Sequence, residues 1–184
     1  AEAGKAGYDA LVSALAADDA LPSRIVHMWL LTEMESFRPG SNFFHRNQEC
    51  GFYSLLRLAQ ALGDVARAED LHVTVVTNGM QRVFDEVLAY PEKATVLGPA
   101  LVIPREMPGT TVKLVDVELD KPVAARRFAE RWRRSPAPAE PGGQRQALTD
   151  TLWEDLLSRP ASEVVAYRKG RRWLRFHDRL ALEG

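Results

Sequence analysis

The feature that most narrows the folds open to this chain is a one-faced helical pattern followed by a β-branched run without polar alternation. Gly51 to Gly63 reads Gly-Phe-Tyr-Ser-Leu-Leu-Arg-Leu-Ala-Gln-Ala-Leu-Gly, which places Phe52, Leu55, Leu56, Ala59 and Leu62 at i, i+3, i+4, i+7 and i+10 of a helix. Asn47 stands where an N-cap belongs, and Gly63 where a left-handed residue would close the last turn. Leu71 to Thr77 then runs as a Val/Thr-rich strand to the turn dipeptide Asn78-Gly79. A strand that is apolar on both faces needs cover on both, and a parallel sheet with crossover helices supplies it.

The remaining segments extend this α/β pattern. Tyr8 to Ala17 carries Tyr8, Leu11, Val12 and Leu15 at helical spacing and ends at Asp18-Asp19. Ile25 to Leu31 is almost continuously apolar and predicts a strand in mid-sheet. Pro91 to Pro104 predicts a helix with Pro91 at its first position and a kink near Gly98-Pro99, because proline lacks the N–H and crowds the preceding turn. Val112 to Leu119 is a further strand, and the crossovers are expected to be right-handed. Val123 to Arg134 and Leu148 to Leu157 have helical patterns. Between them, residues 135–143 are rich in Pro, Ala and Gly and predict an unstructured insertion. Glu163 to Arg168 and Arg171 to Phe176 flank Lys169-Gly170 as a β-hairpin.

Composition excludes several functions. Charged residues make up 27% of the chain and the net charge is −1, so no basic surface draws nucleic acid or an acidic membrane. No apolar run approaches the roughly 18 residues that a membrane span needs. The single cysteine, Cys50, excludes an internal disulfide and is consistent with the cytoplasm. The chain opens on Ala1 rather than Met, which reads as a piece of a longer polypeptide.

The motifs that would make such a fold an enzyme are missing from the sequence. No Gly-x-Gly-x-x-Gly turn offers its backbone to a pyrophosphate, and no phosphate-binding loop ends in Gly-Lys-Ser/Thr. A tyrosine acid activated by a lysine one helical turn on is also absent, because Val12, Arg57, Ala94 and Arg171 stand four residues after Tyr8, Tyr53, Tyr90 and Tyr167. Tyr90-Pro91-Glu92-Lys93 has both residue types at the wrong spacing, and Tyr90 reads as packing at the start of a helix. His45 with Cys50 is the one candidate metal pair and falls short of the three or four ligands that zinc requires; His27 and His72 read as strand residues. Ser54 lies within a helix, without a nucleophile elbow. Asn78, at the carboxyl end of a strand, stands where α/β folds hold ligands and also where a turn belongs. The run Arg126 to Arg134, with Phe128 and Trp132 on one helical face, reads as an amphipathic helix docking to a neighbour.

Taken in order, these segments resemble the structural subdomain of the ketoreductase in type I modular polyketide synthases. The residues that carry the resemblance are Ile25 to Trp29, Gly51 to Leu56, Leu58 to Gly63, Leu71 to Gly79, Lys93 to Pro99, Val102 to Pro104, Val115 to Leu119, Val164 to Arg168 and Gly170 to Trp173. The resemblance implies a truncated Rossmann-like, short-chain dehydrogenase-like α/β fold across residues 1–184 as one subdomain. Its sheet would be mainly parallel, flanked by helices and ended by a hairpin. It also implies a non-catalytic half that seats no cofactor and scaffolds an NADPH-dependent catalytic half acting on carrier-bound β-ketoacyl groups, or a pseudo-ketoreductase bracing a neighbouring domain. The family's pattern has one more strand before residue 1 and places the catalytic half after Gly184; the insertion after Arg134 departs from it. The expected partners are that catalytic half and other synthase domains of the same polypeptide, with Tyr167, Trp173 and Phe176 as the interface. The rival readings are a divergent nucleotide-dependent oxidoreductase completed by another chain, and a free-standing interaction domain.

Overall fold

Strands rich in β-branched residues and separated by helical segments have few ways to hide both faces, and here they form one five-stranded sheet. The computed structural model describes residues 4–32, 42–65, 70–119 and 142–178. The strands are β1 (Arg24–Leu30), β2 (Leu71–Asn78), β3 (Thr110–Val117), β4 (Val164–Arg168) and β5 (Arg171–Leu174). They lie in the order β1-β2-β3-β4-β5. The first four are parallel, and β5 returns antiparallel to β4. The helices are α1 (Lys5–Ala17), α2 (Phe43–Gln48), α3 (Ser54–Gly63), α4 (Leu97–Glu106) and α5 (Gly142–Leu157). This is the mainly parallel, truncated Rossmann-like sheet with a C-terminal hairpin that the sequence predicts. The hairpin turn places Lys169 and Gly170 at φ 51° and 69°, the mirror-image geometry that matches the twist of its strands. Among the described residues no helix is long and apolar enough to cross a membrane.

Side chains alternate across a strand, so each strand contributes to two different cores. On one face Leu71, Val73 and Val75 of β2 and Val112 and Leu114 of β3 pack against Val12 of α1, Leu55, Leu58, Ala61 and Leu62 of α3, and Ala100 and Ile103 of α4. On the other face Val76, Val115, Val117, Val165 and Tyr167 form a smaller cluster, with Leu152 of α5 half-buried against it. The helices of the first two crossovers therefore cover one face and that of the third covers the other. The strand order advances in one direction throughout, with α5 on the face opposite to α3 and α4.

Four expectations are corrected. Among the described residues the strand expected in mid-sheet, β1, is an edge strand, with Val26, Met28 and Trp29 46%, 50% and 63% exposed. An apolar run without alternation does not distinguish cover on both faces from an exposed edge. The predicted helix start at Asn47 lies inside a longer rod, because α2 and α3 are joined by a π-helical segment, Glu49–Tyr53. Asn47 is buried there and donates from Nδ2 to the Phe43 carbonyl at 3.1 Å. Gly63 keeps helical geometry, and the left-handed glycines among the described residues are Gly4, Gly79, Gly109 and Gly170. The packed face also differs from the predicted one: Ser54, Leu55, Leu58, Ala61 and Leu62 are buried while Phe52, Leu56 and Ala59 flank them.

Pro91 does open its helix, as a 3-10 turn over Pro91–Val96. In place of a kink at Gly98-Pro99, the winding changes to α at Leu97. Pro99 falls in the first turn of α4, where its missing N–H matters least. Gly142 and Gly143, expected in the insertion, begin α5. The expected helix Val123 to Arg134, with its arginine run, and the insertion from residue 135 to 141 lie outside the described residues.

Candidate functional site

In open α/β sheets ligands sit beyond the carboxyl ends of the strands, in the crevice where neighbouring connections leave toward opposite faces. Here the strand order shows no reversal among the described residues, and the carboxyl ends of β2, β3 and β4 converge on one polar cluster. The chain's own charged side chains occupy that position. Asp116 of β3 is fully buried; its Oδ1 accepts from Thr77 Oγ1 at 2.7 Å and from the Met80 amide at 3.0 Å, and its Oδ2 from the Gln81 amide at 3.1 Å. Arg168, at the end of β4, donates from Nη2 to Asp116 Oδ2 at 2.5 Å and to the Gln81 carbonyl at 2.7 Å. Its Nη1 reaches the carbonyls of Asp116 at 3.1 Å and Tyr167 at 3.0 Å, and its Nε reaches Glu86 Oε1 at 2.8 Å. All five N–H groups of the guanidinium are thereby used, and the carboxylate has four donors. The pair ties three strand ends to the loop after β2.

A second buried cation closes the adjacent gap between β1 and β2. Lys93, in the 3-10 turn, is fully buried, and its Nζ donates to the Leu30 carbonyl at 2.9 Å, Thr32 Oγ1 at 2.7 Å and Asn78 Oδ1 at 3.0 Å. The Tyr90 ring lies 4.2 Å from that ammonium, which fits the expected packing of Tyr90 at the helix start. Burial pulls the Lys93 pKa down to about 8, against the opposing attraction of Asp116. Asn78 acts as structure rather than as a free ligand donor. It accepts from the Thr32 amide and donates to the Thr32 carbonyl, both at 2.9 Å, and so adds a side-chain rung to the β1–β2 ladder. Gly79 then turns at φ 69°, where a Cβ would lie 2.7 Å from the Tyr90 ring, and the Tyr90 amide donates to the Gly79 carbonyl to close the loop.

A third polar contact lies where a strand meets a helix. His27 Nε2 of β1 is 2.6 Å from Ser54 Oγ, and that hydroxyl is 2.5 Å from the Cys50 carbonyl. The hydroxyl donates to the carbonyl, so it accepts from the imidazole and its proton is not available for transfer. His27 Nδ1 is buried without a hydrogen-bond partner. Burial lowers the His27 pKa to about 4, which keeps the ring neutral. The separation matches a nucleophile and its base, yet both groups lie within the core, and the pair serves to fix the rod to the edge strand. Gly51 of the π-helical segment permits this approach, since a Cβ there would meet Leu30 Cδ1 at 2.7 Å.

Of the expected interface residues, Tyr167 is 2% exposed and belongs to the second core, because β4 is covered on both faces. Trp173 and Phe176 are on the surface, 37% and 75% exposed, and Trp173 packs edge-on against Phe84 with ring centroids 5.1 Å apart. His45 meets Phe44 edge-on, and among the described residues no three His, Cys, Asp or Glu side chains gather to hold a metal. His72 is buried between Thr111 and Thr74. The sequence reading missed the burial of Lys93, Asp116 and Arg168. The available signal was Asp116 itself, a carboxylate within an apolar two-sided strand that folds only with a cation beside it.

Comparison with solved structures agrees with this architecture. A keto acid-selecting nonribosomal peptide synthetase module, with adenylation, ketoreductase and pseudo-Asub domains, superposes with a TM-score of 0.67 at 22% identity over 92% of this chain and 12% of its own. An N-terminal ketoreductase from the macrolactin assembly line gives 0.56 at 14% identity over 98% of this chain and 32% of its own. A short-chain dehydrogenase from Mycobacterium avium gives 0.58 at 14% identity over 98% of this chain and 64% of its own. The chain thus spans less than two thirds of each, and at these identities the likeness shows the fold that the sequence resemblance implied. No curated protein matches the chain. The family described as beta-ketoacyl synthase-like, N-terminal, matches residues 2–126. Since that match covers more than half of its length, the chain belongs to the beta-ketoacyl synthase-like, N-terminal family.

Proposed function

We propose that this chain is the non-catalytic structural subdomain of a polyketide synthase ketoreductase region, working in the cytoplasm. It would scaffold an NADPH-dependent catalytic half, or as a pseudo-ketoreductase brace a neighbouring domain of the same polypeptide. The observation that carries the reading is the filled crevice. Beyond the carboxyl ends of β2, β3 and β4, the end of an α/β sheet at which ligands bind, Asp116, Arg168 and the Gly79 loop spend their hydrogen-bonding capacity on one another. A pyrophosphate placed there would meet the Asp116 carboxylate and would have to displace a fully bonded guanidinium, and no glycine-rich turn offers amides in exchange.

Calorimetric titration of the 184-residue chain with NADPH tests the proposal. We expect no saturable heat at nucleotide concentrations up to about 100 µM, where a site of micromolar affinity would be occupied. A low-micromolar dissociation constant overturns the scaffold reading in favour of an oxidoreductase completed by another chain.

A further inference from the structure

We propose that the free edge of β5 is a docking site for an acidic, extended polypeptide segment that adds to the sheet as a sixth strand. The inference rests on the scaffold reading only for the premise that the hairpin meets a neighbour, and it names the chemistry of that neighbour. Among the described residues β5 is the last strand of the sheet. The Arg175 amide donates to the Val164 carbonyl at 2.9 Å, which sets the alternation of the antiparallel ladder. Arg171 and Trp173 turn their backbone groups toward β4, and Arg172 and Leu174 turn theirs outward. An open row of alternating N–H and C=O groups is complementary to another strand.

The side chains set the sign of the partner. Arg171, Trp173 and Arg175 alternate with Arg172, Leu174 and Phe176, so one face of the edge reads cation, aromatic, cation and the other ends in two exposed apolar groups. Among the described residues no carboxylate lies within ion-pair distance of Arg171 or Arg175, whereas Arg172 is held by Glu163 and Asp155. Lys169 adds a further positive charge, 4.4 Å from the Phe84 ring beside Trp173. Arginines on an edge strand ordinarily prevent pairing, and here they do so against a second copy, which would bring like charges together. A strand with carboxylates opposite Arg171 and Arg175 meets no such barrier.

The test uses the whole chain and two capped heptapeptides, one alternating glutamate with valine and the other alternating lysine with valine, followed by anisotropy of a label on the peptide. The expected result is that the glutamate peptide binds about tenfold or more tightly than the lysine peptide and weakens as salt is raised to 0.5 M. Leu174→Pro removes an outward N–H that β4 does not use, so it should preserve the fold and abolish binding. The surface double variant Arg171→Glu/Arg175→Glu should reverse the preference toward lysine. Equal affinity for both peptides, binding of neither, or no change of preference in the double variant overturns the inference. If the catalytic half associates with the chain while the glutamate peptide does not, only this inference fails. If NADPH binds the chain while β5 takes the peptide, only the scaffold reading fails.

Discussion

The two faces of the sheet are built by different means. The face under α1, α3 and α4 is closed by apolar side chains from three helices, and the His27–Ser54 pair sits in it near the β1 edge. The face under α5 is apolar only toward the carboxyl ends. Toward the amino ends it carries His72, Thr74, Thr111 and Lys113, and the end of α5 is held there by polar contacts. Lys113 Nζ reaches Ser158 Oγ at 3.0 Å and Asp155 Oδ1 at 3.3 Å, Arg24 donates to the carbonyls of Leu156 at 2.9 Å and Ser158 at 3.1 Å, and Arg172 Nε lies 3.4 Å from Asp155. Cations from three strands thus meet the carbonyl end of one helix, where the helix dipole favours positive charge. Trp153 and Leu157 of the same helix remain 63% and 61% exposed. The first face joins a large apolar area to the Asp116–Arg168 pair at its carboxyl end, and the second joins a smaller apolar cluster to a few directed contacts at its amino end, so equal changes should cost unequally.

The largest effect is expected on the first face. Leu55, 1% exposed, should cost about 2 to 5 kcal/mol when cut to alanine, read from the urea midpoint; a loss under about 0.5 kcal/mol would break the contrast. Next comes acid. His27 binds its proton at about 4 in the fold and at 6.5 in the free side chain, so between those values the unfolded chain holds more protons and stability rises with pH. Its contribution, about 3 kcal/mol, should be complete above pH 6.5 and lost as pH falls toward 4. Urea titrations of the parent and of His27→Leu at pH 4.5 and 7 should show a smaller acid loss in the variant. On the second face Lys113→Met should cost about 1 to 2 kcal/mol, because Arg172 still attends Asp155, and should speed amide exchange in α5 while leaving α3 unchanged. Smallest of all, Trp153→Ser should shift the midpoint by under about 0.5 kcal/mol; a large loss would place α5 among the core helices.

What was legible in the sequence follows the same division. Periodicity located α3, β2, β3 and the hairpin because each depends on local pattern, and Pro91 marked its helix because its fixed φ suits a first turn. The edge position of β1 was not legible, since strand order is set by connections rather than by the strand's own residues. Lys93 and Arg168 read as surface residues by type, and only the convergence of β1 to β4 at their carboxyl ends supplies the carbonyls and the carboxylate that bury them. Tyr167 misled for the converse reason, because an aromatic residue in a hairpin looks like an anchor until α5 is placed over its face. The resemblance carried by ordered short motifs fixed the fold more firmly than any one of them.

The π-helical segment Glu49–Tyr53 has a consequence for how this chain can vary over evolutionary time. A helix is a screw thread, and one additional residue shifts its phase by about 100°. The half of the rod before the segment and the half after it are therefore cut to different phases of one thread, and Gly51 and Ser54 each meet their strand partner only across that offset. Substitutions within the segment keep the offset, whereas loss of a single residue would restore regular winding and carry Ser54 off His27. Chain length between Glu49 and Tyr53 is accordingly under tighter constraint than residue identity at most of its positions.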